Sequence, residues 1–397
     1  MQPHSEKSIL LTLGIIQFTH VIDFMIIMPL GPQLMRIFEI TPAQFGLLVS
    51  SYTFSSGLFG LLGAFFIDKF DRKKALLFFY LGFVVGTFAC SLAPGYHMLL
   101  ITRSLTGAFG GILGSLVLSV VGDTIPVSRR TAAMGVVMMG FSLASVLGVP
   151  AGLYFATNYG WHVPFRMLAI LGLGVAFLIH KSLPVMQGHL SESSGLAYAL
   201  RSVKKILSDA NHLIALSLMF TLMMAQFFIV PYISTYMVAN AGLKETDLPF
   251  IYLFGGLSTM VVLPWMGRLA DRHGRLLLFT IFSILSMAVI LVMTNISGTS
   301  LAVVLVVTTL FFSSVSGRGV AATTMITTAV HPPERGRFMS LNAAVQQLSA
   351  GLAAYFAGLI VYTNAEGKLV NFNLLGVMAV TTGVICIVLA RKIVVRS

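Results

Sequence analysis

The chain is predicted to be an all-α, polytopic membrane protein with twelve transmembrane helices in two pseudo-symmetric bundles of six. Three observations predict this. The first is composition: of 397 residues, 57% are hydrophobic and only 10% charged, and the mean hydropathy is +0.92. Those values exclude an ordinary soluble domain. The second is a series of twelve apolar runs, most of them long enough to cross a hydrocarbon core of ~30 Å. The third is a charged turn, Asp68-Lys69-Phe70-Asp71-Arg72-Lys73-Lys74, answered half a chain later by Asp271-Arg272-His273-Gly274-Arg275.

Taken in order, the predicted helices cover residues 9–30, 45–67, 75–93, 97–121, 133–157 and 165–182. The second set covers 211–237, 249–267, 276–295, 301–328, 338–362 and 370–392. The one long polar segment lies between the sets. It contains Pro184, Gly188, Ser191 and Glu192, and then Arg201, Lys204 and Lys205. Its second part can form a short basic amphipathic helix on the membrane surface. The expected organisation is therefore a first bundle at 1–183, a linker at 184–210 and a second bundle at 211–397. The halves read as copies. Phe18-Thr19 and Pro29 recur as Phe220-Thr221 and Pro231, and Arg130 with Met134 recurs as Arg335 with Met339. Parallel repeats of this kind place a transport site near the midplane, between the halves.

The net charge of +12 invites a nucleic-acid partner, but the placement of the charges argues otherwise. Counting alternate loops as cytoplasmic puts Lys73, Arg129, Arg201, Arg272 and Arg391 on one side, and Arg36, Lys244 and Lys368 on the other. That asymmetry is the positive-inside bias, and it places both termini in the cytoplasm. The first apolar run has the length of a full span and no small-residue cleavage site, so it is expected to remain as a helix. Cys90 and Cys386 fall in helices near opposite faces, which excludes a disulfide between them.

The charged turns resemble the signature loop between the second and third helices of major facilitator transporters, Gly-x-x-x-Asp-Arg/Lys-x-Gly-Arg-Lys/Arg. The second copy matches at Gly267, Asp271, Arg272, Gly274 and Arg275. The first has Ala64 and Asp71 where the family has glycine, and Asp71 is expected to supply a positive-φ turn. Asp68 ends its helix, where its charge opposes the helix dipole. The resemblance implies that Asp68 instead meets the start of the eleventh helix near Phe338, as a latch on the cytoplasmic side. Asp123, paired with Arg72, would extend that latch, and Asp271 and Arg275 of the second copy are counted among its residues. Gly140, Gly148, Pro150 and Gly152 resemble the fifth-helix motif of drug:proton antiporters. Arg103 and Gly107 resemble the fourth-helix motif of the same group.

Ionisable residues inside a bilayer are costly and mark function. The chain has His20, Asp23, Arg103 and Arg318 in that position. Asp23 lies ~11 Å, and Arg103 ~9 Å, from the outer ends of their helices at 1.5 Å per residue, so a charge pair is expected. His20 shares the Asp23 helix face. The second half carries Leu222, Ala225 and Thr308 at the equivalent places, so the fold itself does not require charges there. Asp23, Arg103 and His20 are the proton-coupling candidates. Arg318, ~26 Å from the outer end of its helix, either meets substrate or reaches the inner headgroups.

The cavity-side candidates are Phe24, Gln226, Phe227, Tyr232, Asn342 and Gln346 together with Arg318. There is no Gly-x₄-Gly-Lys-Ser/Thr phosphate loop, Gly-x-Ser-x-Gly elbow, His-Glu-x-x-His or Cys/His metal spacing, so neither an ATP-driven pump nor an enzyme is expected. No cofactor or metal is expected. The resemblance implies a monomeric secondary transporter in a bacterial inner membrane that exports a small organic molecule (a drug-like compound, sugar or metabolite) against protons. The alternative is a uniporter or a substrate:proton importer of the same fold.

Overall fold

The computed structural model describes residues 5–186, 203–331 and 334–396. Among them, twelve helices are long and apolar enough to cross a membrane. We label these α1 (Glu6–Ile26), α2 (Pro42–Phe66), α3 (Arg72–Ser91), α4 (Tyr96–Thr124), α5 (Arg130–Leu143 and Val149–Tyr159) and α6 (Val163–Ser182). The second set is α7 (Ala210–Phe227), α8 (Leu248–His273), α9 (Arg275–Met293), α10 (Leu301–Thr328), α11 (Arg335–Ile360) and α12 (Phe372–Lys392). A hairpin pairs Tyr362–Thr363 with Leu369–Val370 between the last two helices. The helix surfaces expose large apolar side chains such as Val85, Ile170 and Val261. In water such a surface would be unstable; in lipid it is the expected outer face.

Packing divides the chain into Met1–Ile26 with Ser51–Ala199, and Ile27–Ser50 with Leu200–Ser397. In the first unit α3 packs on α4 and α6, and α1 on α5 and α6; in the second α9 packs on α10 and α12, and α7 on α11 and α12. The same neighbours recur six helices later, which is the repeat read in the sequence, now in three dimensions. The division differs from a boundary at 183–211 because residues 27–50 pack with the second unit. There the short helix Gly31–Phe38 lies against Ile233–Ala239, Arg36 pairs with Glu245, and the Tyr232 hydroxyl donates to the Pro42 carbonyl at 2.9 Å.

The first and seventh helices are shorter than expected, and for one reason. Pro29 and Pro231 each fall where a helix was predicted to continue. Proline disfavours helix at the residue before it and offers no N–H. α1 therefore ends at Ile26 and α7 at Phe227, and each gives way to a separate short helix, Gly31–Phe38 or Ile233–Ala239.

Three glycines of the expected antiporter motif set the approach of α5 to α1. A Cβ on Gly140 would fall inside contact distance of the Gly14 carbonyl. One on Gly148 would strike Ile22, and one on Gly152 would come to 2.9 Å from Ile26 Cδ1. Pro150 has no N–H for the carbonyl four residues back. The helix accommodates it with a π turn over Ala144–Gly148, in which the Val149 N–H reaches Ala144. On α4, Gly107 and Gly111 seat against the backbone of Tyr52 and Ser56 on α2 in the same way.

The two charged turns are built differently. Gly274 has φ +91°, as the family pattern requires of its glycine. Asp71 does not; with φ −55° it is the N-cap of α3. Its Oδ1 accepts the Lys74 N–H at 2.9 Å and its Oδ2 the Met186 N–H at 2.9 Å. The carboxylate thus joins the start of α3 to the chain leaving α6, and no positive φ is involved. Of the linker, residues 187–202 lie outside the described residues. Residues 203–208 are helical, and Lys205 pairs with Glu334.

Candidate functional site

Asp23 and Arg103 come together in the interior of the first unit. Arg103 Nη1 donates to Asp23 Oδ2 at 2.8 Å, and neither side chain is exposed. The other carboxylate oxygen, Oδ1, accepts the Thr87 hydroxyl at 3.1 Å. α1, α3 and α4 each contribute one member, and α3–α4 contact is close because a Cβ on Gly86 would meet Thr106 Oγ1 at 2.5 Å. The guanidinium carbon of Arg103 stands 4.3 Å from the centroid of the Tyr52 ring on α2, a cation–π contact made in a desolvated place. Phe165 closes a second side at 6.0 Å.

His20 lies on the same face of α1 and tilts against Phe83 at 5.7 Å. Among the described residues, neither of its buried ring nitrogens has a hydrogen-bond partner, nor do Nε and Nη2 of Arg103 or the Tyr52 hydroxyl. The cluster therefore holds one strong ion pair surrounded by spare donors and acceptors. Such an arrangement can exchange a proton when the pair separates, because the spare polar groups and the Thr87 hydroxyl can take over part of the bonding.

The equivalent places in the second unit are Leu222, Ala225 and Thr308, all buried. Thr308 bonds only to carbonyls of its own helix, at 2.8 Å to Val304 and 3.3 Å to Leu305. One unit builds the same helix arrangement with a charge pair and the other without.

The remaining candidates scatter. Phe24 packs on Tyr52 at 5.6 Å beside the pair. Phe227 and Asn342 are buried, and Asn342 Oδ1 has no hydrogen-bond partner among the described residues. Gln226 is half-buried and Gln346 exposed. Tyr232 is fully buried and lines no open surface; it stands edge-on to Phe45 at 5.9 Å. Arg318 neither reaches headgroups nor an exposed surface, being fully buried in α10. Arg72 Nε meets Asp123 at 3.3 Å, and Arg275 donates to Thr328 Oγ1 at 3.4 Å. The side chains of Asp68 and Asp271 lie outside the described residues. Cys90 and Cys386 are both buried free thiols. No group of metal-ligating side chains occurs among the described residues.

Sequence reasoning missed Thr87 and Tyr52. A hydroxyl in the middle of α3 is a weak signal by itself, since many such hydroxyls bond back to their own helix.

Comparison with known proteins bears on what this interior serves. The profile of the Major Facilitator Superfamily matches residues 13–354. The MFS-type transporter YceJ of Bacillus subtilis is 23% identical over 351 residues, 87% of this chain and 85% of its own. The inner membrane transport protein YdhP of Escherichia coli is 29% identical over 255 residues, 62% of each chain. A probable sugar efflux transporter of Haemophilus influenzae is 28% identical over 147 residues, 37% of each chain. Among solved structures, a D-xylose-proton symporter superposes with a TM-score of 0.76 at 15% identity, covering 96% of both chains. At that identity the likeness shows the fold alone.

Proposed function

The chain belongs to the Major Facilitator Superfamily and is a multi-pass membrane transporter rather than an enzyme, and we propose that it exports a small organic molecule by alternating access in exchange for protons. The observation that carries this reading is the buried Asp23–Arg103 pair, present in one of two otherwise similar units. A pair needed only for packing would be expected in both. Asp23 is the proton carrier in this account, Arg103 its charge partner, and His20 with Thr87 the polar groups that receive the carboxylate's bonds as it changes state. Relatives named as sugar efflux transporters support export and a sugar-sized cargo.

The positive-inside count supports an inner-membrane protein with both termini in the cytoplasm. Cysteines introduced at Lys244 and Lys368 should then react with an impermeant thiol reagent outside intact cells; labelling at Arg272 instead reverses the orientation. The transport reading is tested in proteoliposomes with an imposed pH gradient and a panel of labelled sugars and amphipathic compounds. Uptake coupled to the gradient in the exporting sense supports it. Movement of a panel compound that ignores the gradient favours the uniporter.

A further inference from the structure

Among the described residues two arginines have no exposed surface at all, and only one of those two has a counterion. Arg103 has Asp23. Arg318, equally inaccessible in the second unit, has none among the described residues: Nε, Nη1 and Nη2 all lack an acceptor. Its electrostatic neighbour is the Cys386 thiol on α12, which is itself bonded to Thr221 on α7 at 3.2 Å. A guanidinium remains protonated under all ordinary conditions, and an isolated ion in a low-dielectric interior is far costlier than a paired one. The charge calls for an anion.

A cavity of about 480 Å³ opens at the end of the second unit that carries the start of α9 and the ends of α10 and α12. Arg275 and Arg391 line it with Met325, Ala390, Ile393 and Val395, and none of the described lining residues is acidic. Met325 is seven residues from Arg318 along α10, and Ala390 is four from Cys386 along α12. Those spacings keep each pair on one helix face, so Arg318 lies on the face of α10 that meets the cavity, about 10 Å farther along the helix at 1.5 Å per residue.

One wall is held in place from behind. The tail after α12 is strapped to the start of α7: Val394 N–H donates to Asn211 Oδ1 at 2.9 Å and Asn211 Nδ2 to the Val394 carbonyl at 2.8 Å. Arg396 clasps Asp209 with both terminal nitrogens and donates its N–H to the Thr328 carbonyl at 2.8 Å. That carboxylate is therefore already engaged.

We propose that the second unit contains an oxyanion site, entered past Arg275 and Arg391 and anchored by Arg318, that takes a phosphate or carboxylate group. The planar guanidinium fork with its free N–H groups matches two oxygens of one such group. The group can come from a free anion or from an acidic phospholipid headgroup. The inference stands apart from coupling at Asp23, and its test uses no transport.

The experiment follows thermal unfolding of the purified full chain in detergent, titrated with sodium phosphate against sodium chloride at equal ionic strength. A parallel arm uses nanodiscs of phosphatidylglycerol or of phosphatidylcholine, without phosphate. Wild type should gain several degrees in a saturable manner from phosphate. Arg318→Gln should lose that response and Arg318→Lys keep part of it, while Arg275→Gln with Arg391→Gln should weaken apparent affinity several-fold. A gain in phosphatidylglycerol alone that Arg318→Gln abolishes identifies the headgroup as the source. No saturable gain in either arm, or a gain unchanged by Arg318→Gln, overturns the proposal. Should Arg318→Gln fail to fold, an unchanged affinity in the mouth double variant overturns it instead.

Discussion

Arg103 Nη1 lies 2.8 Å from Asp23 Oδ2 with neither side chain exposed. The bond joins the fourth helix to the first, and the Thr87 hydroxyl adds the third at 3.1 Å. Placing a charged pair here costs desolvation that good geometry only partly offsets, and the second unit shows that the helix arrangement forms without it.

The energetics of that pair can be measured separately from transport. Asp23→Ala leaves an uncompensated Arg103 and should destabilise the first unit by about 3–5 kcal/mol. Asp23→Ala combined with Arg103→Met removes both charges and should recover most of the loss. Thermal unfolding of the three proteins in detergent checks the order. Equal losses in the single and double variants would mean that packing volume, not charge, matters at this place.

Close approach of α5 to α1 depends on Gly140, whose added Cβ would meet the Gly14 carbonyl, whereas Gly135 has open space around it. Gly140→Ala should cost about 1–3 kcal/mol, as overpacking does, because a backbone oxygen cannot move aside as a side chain can. Gly135→Ala should be tolerated. Comparing melting midpoints of the two variants tests the packing role of the motif directly.

The charged turns should not be interchangeable. Asp71→Gly, which restores the family residue, removes an N-cap and the acceptor of the Met186 N–H. It should destabilise by about 1–3 kcal/mol, most of it from the buried Met186 N–H left without an acceptor, since a glycine cap alone costs only a few tenths of a kcal/mol. Gly274→Ala forces a Cβ into φ +91° and should cost about 1–3 kcal/mol. A neutral or stabilising Asp71→Gly would show that the capping bonds carry little.

The tail strap has a definite pH sense. The Arg396 clasp holds the Asp209 carboxyl down to about 2 from its ordinary 3.8, with the His212 and Asn211 N–H groups assisting. A folded-state value below the unfolded one means the contribution is complete above about 4 and is lost as pH falls toward 2. Exchange of the Val394 amide, corrected for intrinsic rate, should accelerate across that window. Asp209→Asn should show fast exchange already at neutral pH and no further dependence.

Much of this was legible in the sequence, and the failures have physical causes. Asp23 and Arg103 could be matched because depth along an apolar helix follows from residue counting. Tyr52 and Thr87 could not, since rotation of α2 is set by Gly107 and Gly111 of α4 meeting its backbone, and that of α3 by its own Gly82 and Gly86 meeting Phe109 and Thr106. Pro29 and Pro231 were visible as a repeat, yet their effect as helix ends depends on how the short helices beyond them pack. Tyr232, placed on the cavity side, is drawn into contact with Pro42 and Phe45. Asp71 looked like a stand-in for glycine, and only the chain leaving α6 reveals it as a cap. Arg318 was expected to find substrate or headgroups, because nothing in the pattern marks an unpaired ion in a helix interior.

The central claim is that Asp23 carries the coupled proton, and Asp23→Asn tests it most directly. Proteoliposomes loaded with a panel substrate found to respond to the gradient, and given an imposed pH gradient, report uphill movement; the same vesicles without the gradient report downhill exchange. Asn keeps the size and a hydrogen-bond acceptor for Arg103 but cannot exchange a proton. The account predicts that Asp23→Asn loses uphill movement and retains a substantial part of downhill exchange. Accumulation of substrate against its gradient by Asp23→Asn, at a rate near that of wild type, would contradict it.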